Sequence, residues 1–196
     1  MSGRSRSFDK EKMLGKIMCT FWKNGYAGTT MADLTEATGL TKPSLYLAYG
    51  NKESMFKASL ENYLKMQSQA IGSTLGQPNR SVRLQIGDFL KASAKSATNA
   101  DRPSGCFVLA ASTEVHSNAL PAGTKALVEQ VNASAFKMLT GFFSSAAGGA
   151  QDAKTAANYA EYVLVLQSGI MQMALRGSDY PSLERAIPMM IETFEN

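Results

Sequence analysis

Thr41, Lys42, Ser44 and Leu47 fall within one short stretch of this chain and carry four chemically distinct side chains. On a very short helix they take the outward side, and their groups suit the edges of base pairs. A lysine ammonium reaches guanine O6 and N7, a hydroxyl serves either pair, and an apolar group meets a thymine methyl. Thr30, Tyr46 and Lys52 surround them and suit phosphate oxygens, as do the free amides at the start of a following helix. The implied chemistry is recognition of duplex DNA. The same spacing also describes an ordinary helical hairpin with no DNA role, because a helix-turn-helix pattern alone is a weak signal.

The elements that must position these residues are legible around them. A first helix is expected after Ser7, which can cap it, with Asp9 and Glu11 in its first turn and Gly25 at its end. Its apolar set, Met13, Leu14, Ile17, Met18, Phe21 and Trp22, lies on one face, and Cys19 falls on the opposite, exposed side. Thr29 or Thr30 caps a second helix that turns Met31 and Leu34 inward. Gly39 permits a tight turn with Leu40 beneath it. Thr41 caps a third helix with Pro43 in its first turn, where a missing N–H costs nothing. Leu45 and Tyr49 point inward, and Asn51 caps a fourth helix carrying Phe56, Leu60, Tyr63, Leu64 and Ile71. Two helices joined by a glycine turn, the second lying in a major groove, are the layout of a helix-turn-helix.

Charge supports this placement. Residues 1–52 hold eight Lys/Arg against four Asp/Glu, and residues 53–196 hold twelve of each, so the net charge of +4 sits entirely at the N-terminal end. A basic segment that only aids solubility would look the same. The apolar content of 44% indicates a globular chain, and no apolar run is long enough to span a bilayer. With no apolar leader near its N-terminus, the protein is expected in the cytoplasm, without a membrane partner. Two cysteines and one histidine make neither a disulfide framework nor a zinc site, and no metal or other cofactor is expected.

The segment FWKNGYAGTTMADLTEATGLTKPSLYLAYGNKESMF resembles the N-terminal domain of the TetR/AcrR family of bacterial transcription regulators. The match runs from about Arg6 to Phe56, with Gly25, Tyr26, Thr30, Gly39, Leu45, Tyr46, Lys52 and Met55 in register. The resemblance implies that Thr30, Tyr46 and Lys52 grip the DNA backbone while Lys42, Ser44 and Leu47 face bases. Thr35 departs from a usual alanine, a minor change. Ala48 stands where the family often has a phosphate-binding histidine or tyrosine, which shifts anchoring onto Tyr46 and Lys52. The resemblance further implies a homodimer on a palindromic operator.

Strand signals are nearly absent beyond this module. The fold class expected is all-α: a three-helix helix-turn-helix domain (1–52) joined by helix 4 to a larger helical ligand-binding and dimerisation domain (53–196), about nine helices in all. The Gly- and Pro-bearing stretch 72–81 is the clearest break, followed by helices over roughly 80–99, 104–117, 121–147, 151–176 and 182–195.

From Tyr162 to Leu166 the eighth helix is apolar all round and must be covered on more than one side. Packing against a second subunit covers it, with Gly169 allowing close approach and the last helix joining through Leu183, Ile187, Met190, Ile191 and Phe194; a fully buried helix in a monomer is the other solution. Pro188 should kink or shorten that last helix.

Phe89, Phe107, Met138, Phe142, Phe143, Tyr162 and Met171 are candidates to line a pocket for a small apolar effector, although such stripes also describe plain core. Cys106 follows DRPSG and opens a helix, where amides and Arg102 favour the thiolate, making it a candidate sensor of oxidants or electrophiles or else an inert buried thiol. His116 reads as a surface residue.

The function expected is a ligand- or thiol-responsive repressor that releases its operator on effector binding. An architectural DNA binder without effector and a helical-bundle enzyme with an accessory DNA-binding domain are the alternatives. No paired carboxylates, Glu-x-x-His motif or nucleophile–base set appears in residues 80–196, so no enzyme activity is expected.

Overall fold

The computed structural model describes residues 3–115, 119–145 and 147–194, with side chains from Lys10 onward. Among the described residues there are nine helices and no strand: α1 (Gly3–Gly28), α2 (Met31–Thr38), α3 (Lys42–Tyr49), α4 (Lys52–Ile71), α5 (Val82–Ala97), α6 (Phe107–Val115), α7 (Ala122–Ser144), α8 (Ala153–Leu175) and α9 (Tyr180–Met190). None of these helices is long and apolar enough to cross a membrane. The all-α expectation holds, as do most boundaries to within a few residues. Ser7 is not a cap, however, because α1 is already helical at Gly3. His116 and the expected helix end at 117 lie outside the described residues.

The chain divides into two compact units, residues 1–66 with 107–129 and residues 67–106 with 130–196. α4 and α7 each contribute to both. These packing units do not coincide with the domains expected at 1–52 and 53–196: the first extends to residue 66 and takes in 107–129.

In the first unit, the α1 stripe becomes the core. Ile17 and Phe21 are fully buried, Met18 and Trp22 nearly so, and Leu34, Leu45, Met55, Phe56 and Leu60 close around them. The rings meet edge to face: Phe21 on Phe56 and Trp22 on Tyr63, both at 5.1 Å between centroids, and Phe56 on Phe107 at 5.4 Å. Such pairs add about 0.5–1.5 kcal/mol each beyond area burial. Gly25, at φ 72°, breaks α1 where the sequence placed its end.

In the second unit, α5 packs against α8 and α9. Its inward face is part polar: Gln85 and Ser93 are fully buried and Ser96 is 8% exposed. Each has a partner, as burial demands. Gln167 Nε2 donates to Ser93 Oγ at 3.0 Å, and Ser96 Oγ to Gln67 Oε1 at 2.6 Å. α9 ends at Met190, soon after Pro188, so the proline shortens the helix as expected. Three of the residues expected to reach a second subunit through the last helix are used inside the chain. Leu183, Ile187 and Phe194 are buried within the chain itself, and it is Met189 that is left 75% exposed.

Candidate nucleic-acid interface

Local rules set α2 and α3 in place. Thr30 begins α2 with a capping box: its hydroxyl accepts the Asp33 N–H at 3.2 Å, while Asp33 Oδ2 accepts the Thr30 N–H at 2.6 Å. Those amide and hydroxyl bonds from Thr30 hold the Asp33 carboxyl below its ordinary range, the backbone bond contributing most. The Thr30 hydroxyl also donates to Asp33 Oδ2 at 2.8 Å, so its proton is engaged within the cap.

Gly39, at φ 74°, closes α2 in the left-handed conformation and returns its N–H to Thr35 O. Two residues later Thr41 caps α3 by accepting the Ser44 N–H at 3.4 Å, and the two hydroxyls lie 2.9 Å apart. Pro43 sits in the first turn.

α3 is held from beneath by fully buried Leu45 and by Tyr49, whose hydroxyl donates to the Lys10 carbonyl of α1 at 2.7 Å. Burial raises the Tyr49 pKa. Thr30, Thr41, Lys42, Ser44, Tyr46 and Leu47 are all exposed, and Lys52 is half-buried. Leu47 is 92% exposed, which for a leucine on a folded helix marks a side chain with no role in this chain's own core. Lys42 Nζ lies 5.9 Å from the Tyr46 ring centre, and Lys52 Nζ 4.5 Å from that of Tyr26. The structure thus gathers the outward residues on and beside α3, with cations at its start and just beyond its end. An anion-accepting, partly apolar surface of this kind suits DNA, phosphates at its edges and base edges at its middle.

Two supports escaped the sequence. Glu114 of α6 accepts the Tyr26 N–H at 2.9 Å, immediately after the Gly25 break, across 88 residues of chain. Glu53 of α4 takes Lys57 at 2.7 Å and the Thr124 hydroxyl at 3.3 Å. Lys57 is the main cause of the lowered Glu53 pKa. Neither long-range partner has a local signature. The Tyr26–Lys52 contact joins two motif residues whose proximity no spacing rule gives.

The expected pocket residues are distributed between the units. Phe107 packs in the aromatic core of the first unit, 6.0 Å from both Trp22 and Tyr63. In the second unit Phe89, Phe142, Phe143 and Met171 are buried, Met138 is 48% exposed, and the Tyr162 hydroxyl donates to the Met190 carbonyl at 3.2 Å. Cys106 stands immediately before α6 and, like Cys19, is half-buried rather than exposed. A cavity of about 770 Å³ opens elsewhere in the second unit, lined by none of the expected pocket residues.

Residues 18–59 match the family model described as "Bacterial regulatory proteins, tetR family". Among curated relatives, the chain is 38% identical over 107 residues to the HTH-type transcriptional repressor ComR of Escherichia coli K12, covering 55% of this chain and 51% of that protein. It is 29% identical over 112 residues to the HTH-type transcriptional regulator YezE of Bacillus subtilis 168, covering 57% of each. The chain therefore spans about half the length of the curated relatives it matches. Among solved structures, a cysteine mutant of the TetR family regulator CifR in complex with 26-bp operator DNA superposes with a TM-score of 0.79 at 24% identity, over 94% of this chain and 96% of that one. A TetR family regulator from Agrobacterium tumefaciens gives 0.79 at 18% identity, over 97% and 99%. These structural likenesses bear on the fold.

Proposed function

We propose that this chain, which belongs to the tetR family of bacterial regulatory proteins, is a cytoplasmic transcriptional repressor. It binds a palindromic operator as a homodimer and releases it when an effector binds. The observation that carries this reading is the outward face of α3. Lys42, Ser44 and nearly fully exposed Leu47 stand on a helix that is packed from beneath through Leu45, Ala48 and Tyr49.

In this reading Lys42, Ser44 and Leu47 meet bases, while Thr30, Thr41, Tyr46 and Lys52 meet phosphate and sugar. Residues 1–52 are the DNA-facing part and 53–196 the part that takes effector and partner. Two copies place their α3 helices roughly 34–36 Å apart, one turn of B-DNA, in successive major grooves. The dimer contact falls on α8, where Val165 and Met173 are exposed apolar residues beside Ser168 and Gly169. The repressor named ComR and the operator complex of CifR support DNA as the partner.

A small apolar or electrophilic effector, bound in the second unit or reacting at Cys106, acts by favouring a state in which α4 is displaced and the two headpieces lose register. Its effect is bounded by its differential affinity for the two states. Phe89, Phe142, Tyr162 and Met171 remain the proposed effector-facing set.

Operator binding by anisotropy, with Lys42→Ala and Tyr46→Phe, tests the reading. Lys42→Ala should relax sequence preference at one position by about 1–3 kcal/mol, and Tyr46→Phe should weaken all sequences alike. If both variants bind as the wild type does, α3 is not the reading helix.

A further inference from the structure

The 770 Å³ cavity of the second unit has a composition that selects a ligand class. One wall is aromatic. Tyr159 and Phe194 line it, their centroids 5.4 Å apart, and Phe194 is fixed from behind by stacking on Phe143 at 5.7 Å. The loop between α4 and α5 adds Gln77, Asn79 and Arg80 to the lining, and Ala147 lines the cavity from the α7–α8 connection.

That loop is wired into one conformation. Fully buried Gln85 accepts the Gln77 N–H through Oε1 and donates through Nε2 to the Arg80 carbonyl, both at 2.8 Å. Asn79 turns the chain at φ 59°, in the left-handed region that asparagine adopts more readily than other residues with a side chain. The Arg80 guanidinium is oriented by Asp88 through one nitrogen and by Gln77 Oε1, at 3.1 Å, through another. It stays 36% exposed and lines the cavity, and its fork of five N–H donors exceeds what these two partners use.

A packed loop with a buried glutamine strut is more structure than a surface connection needs. The volume lies within the range of small-molecule sites, about 300–1,000 Å³. We infer that this cavity binds a planar aromatic anion, with its rings against Tyr159 and Phe194 and its carboxylate or sulfonate on Arg80. The cavity shares no residue with the α3 surface, and binding there is measured without DNA. It therefore stands or falls independently of the repressor reading.

The probe is 1-anilinonaphthalene-8-sulfonate, read by fluorescence on the full-length protein, against the uncharged analogue N-phenyl-1-naphthylamine. The wild type should bind the sulfonate saturably and prefer it roughly tenfold over the analogue, the scale of one charge-assisted contact. Arg80→Gln should abolish that preference. Asp88→Asn, by releasing the guanidinium from its competing anion, should tighten sulfonate binding. Ala147→Trp should block both probes while helicity stays unchanged.

The opposite signs expected for Arg80→Gln and Asp88→Asn separate ligand contact from loop support, because loss of the ion pair alone would move both variants the same way. Equal shifts in those two variants, no saturable binding in the wild type, or wild-type binding by a folded Ala147→Trp protein would overturn the inference.

Discussion

The Lys52 ammonium lies 4.5 Å from the centre of the Tyr26 ring, so the first residue of α4 rests on the residue that follows the break in α1. Tyr26 is itself wedged between Phe21, at 6.2 Å, and Phe56, at 5.3 Å. A lysine head that would otherwise sweep through solvent is thereby given a position, at a gain of about 0.5–1 kcal/mol. Lys52→Ala should weaken binding to every duplex alike and reduce the salt slope of affinity by about one. Tyr26→Leu, which keeps bulk and removes the ring, should reproduce part of that loss with Lys52 intact. Titrations at several salt concentrations check both. An unchanged slope in Lys52→Ala would remove Lys52 from the phosphate contacts.

The amide of Tyr26 has a second constraint, the Glu114 carboxylate at 2.9 Å. Glu114→Ala strands that amide and should cost about 1–2 kcal/mol in urea unfolding, whereas Glu114→Gln keeps an acceptor and should cost less. Gly25→Ala should be worse than either single loss at this junction. The backbone there is at φ 72°, and a Cβ would collide with the Glu114 carboxylate. A Gly25→Ala protein as stable as the wild type would show that the α1 break is not held as described.

Residues governed by their near neighbours were legible in the sequence. Thr30, Thr41 and Asn51 cap the helices they were expected to cap, because capping depends on three or four consecutive residues. The buried stripe of α1 followed from helical period alone. What could not be read is tertiary pairing. Phe107 carries the same apolar signal whether it lines a pocket or closes a core, and only the fold sets it on Trp22, Phe56 and Tyr63. The stripe of α9 gave no sign of whether α5 or a second subunit covers it. Gln85 carries no signal of its own in the sequence, because its use as a strut depends on a loop it meets only in the folded chain.

Acid sensitivity should trace to helix caps. Asp152 is lowered from its ordinary pKa, first by the Thr155 amide, and Asp179 first by the Ser182 hydroxyl and then by its amide. A depressed folded pKa gives stability that is complete above the unfolded value, about 3.9, and is lost as pH falls through the folded one. Stability in urea unfolding should therefore begin to decline below roughly pH 4. Asparagine keeps the acceptor but does not titrate, so the double variant Asp152→Asn, Asp179→Asn should lose less stability between neutral and acid pH than the wild type. Parallel acid curves for the two proteins would place the titrating groups elsewhere.

α8 leaves an apolar face uncovered within a single chain. Val165 is 67% exposed and Met173 45%, while Val163, Ile170 and Ala174 on the opposite side are buried. At 100° per residue, Val165, Gly169 and Gln172 lie in one row with Ser168 and Met173 to either side, and a Cβ added at Gly169 would meet nothing within 4 Å. Small residues flanked by apolar ones allow close approach of a second helix, and a two-fold axis through such a row sets Val165 near its own copy. Val165→Glu would then bring two carboxylates together in a desolvated contact, a cost of several kcal/mol that a dimer of moderate affinity does not survive. Sedimentation should show dimer for the wild type and monomer for Val165→Glu, with helicity retained because Val165 supports nothing in its own chain. Operator affinity should collapse in the same variant, since each headpiece would bind alone. A Val165→Glu protein that sediments as a dimer would move the interface off this face of α8.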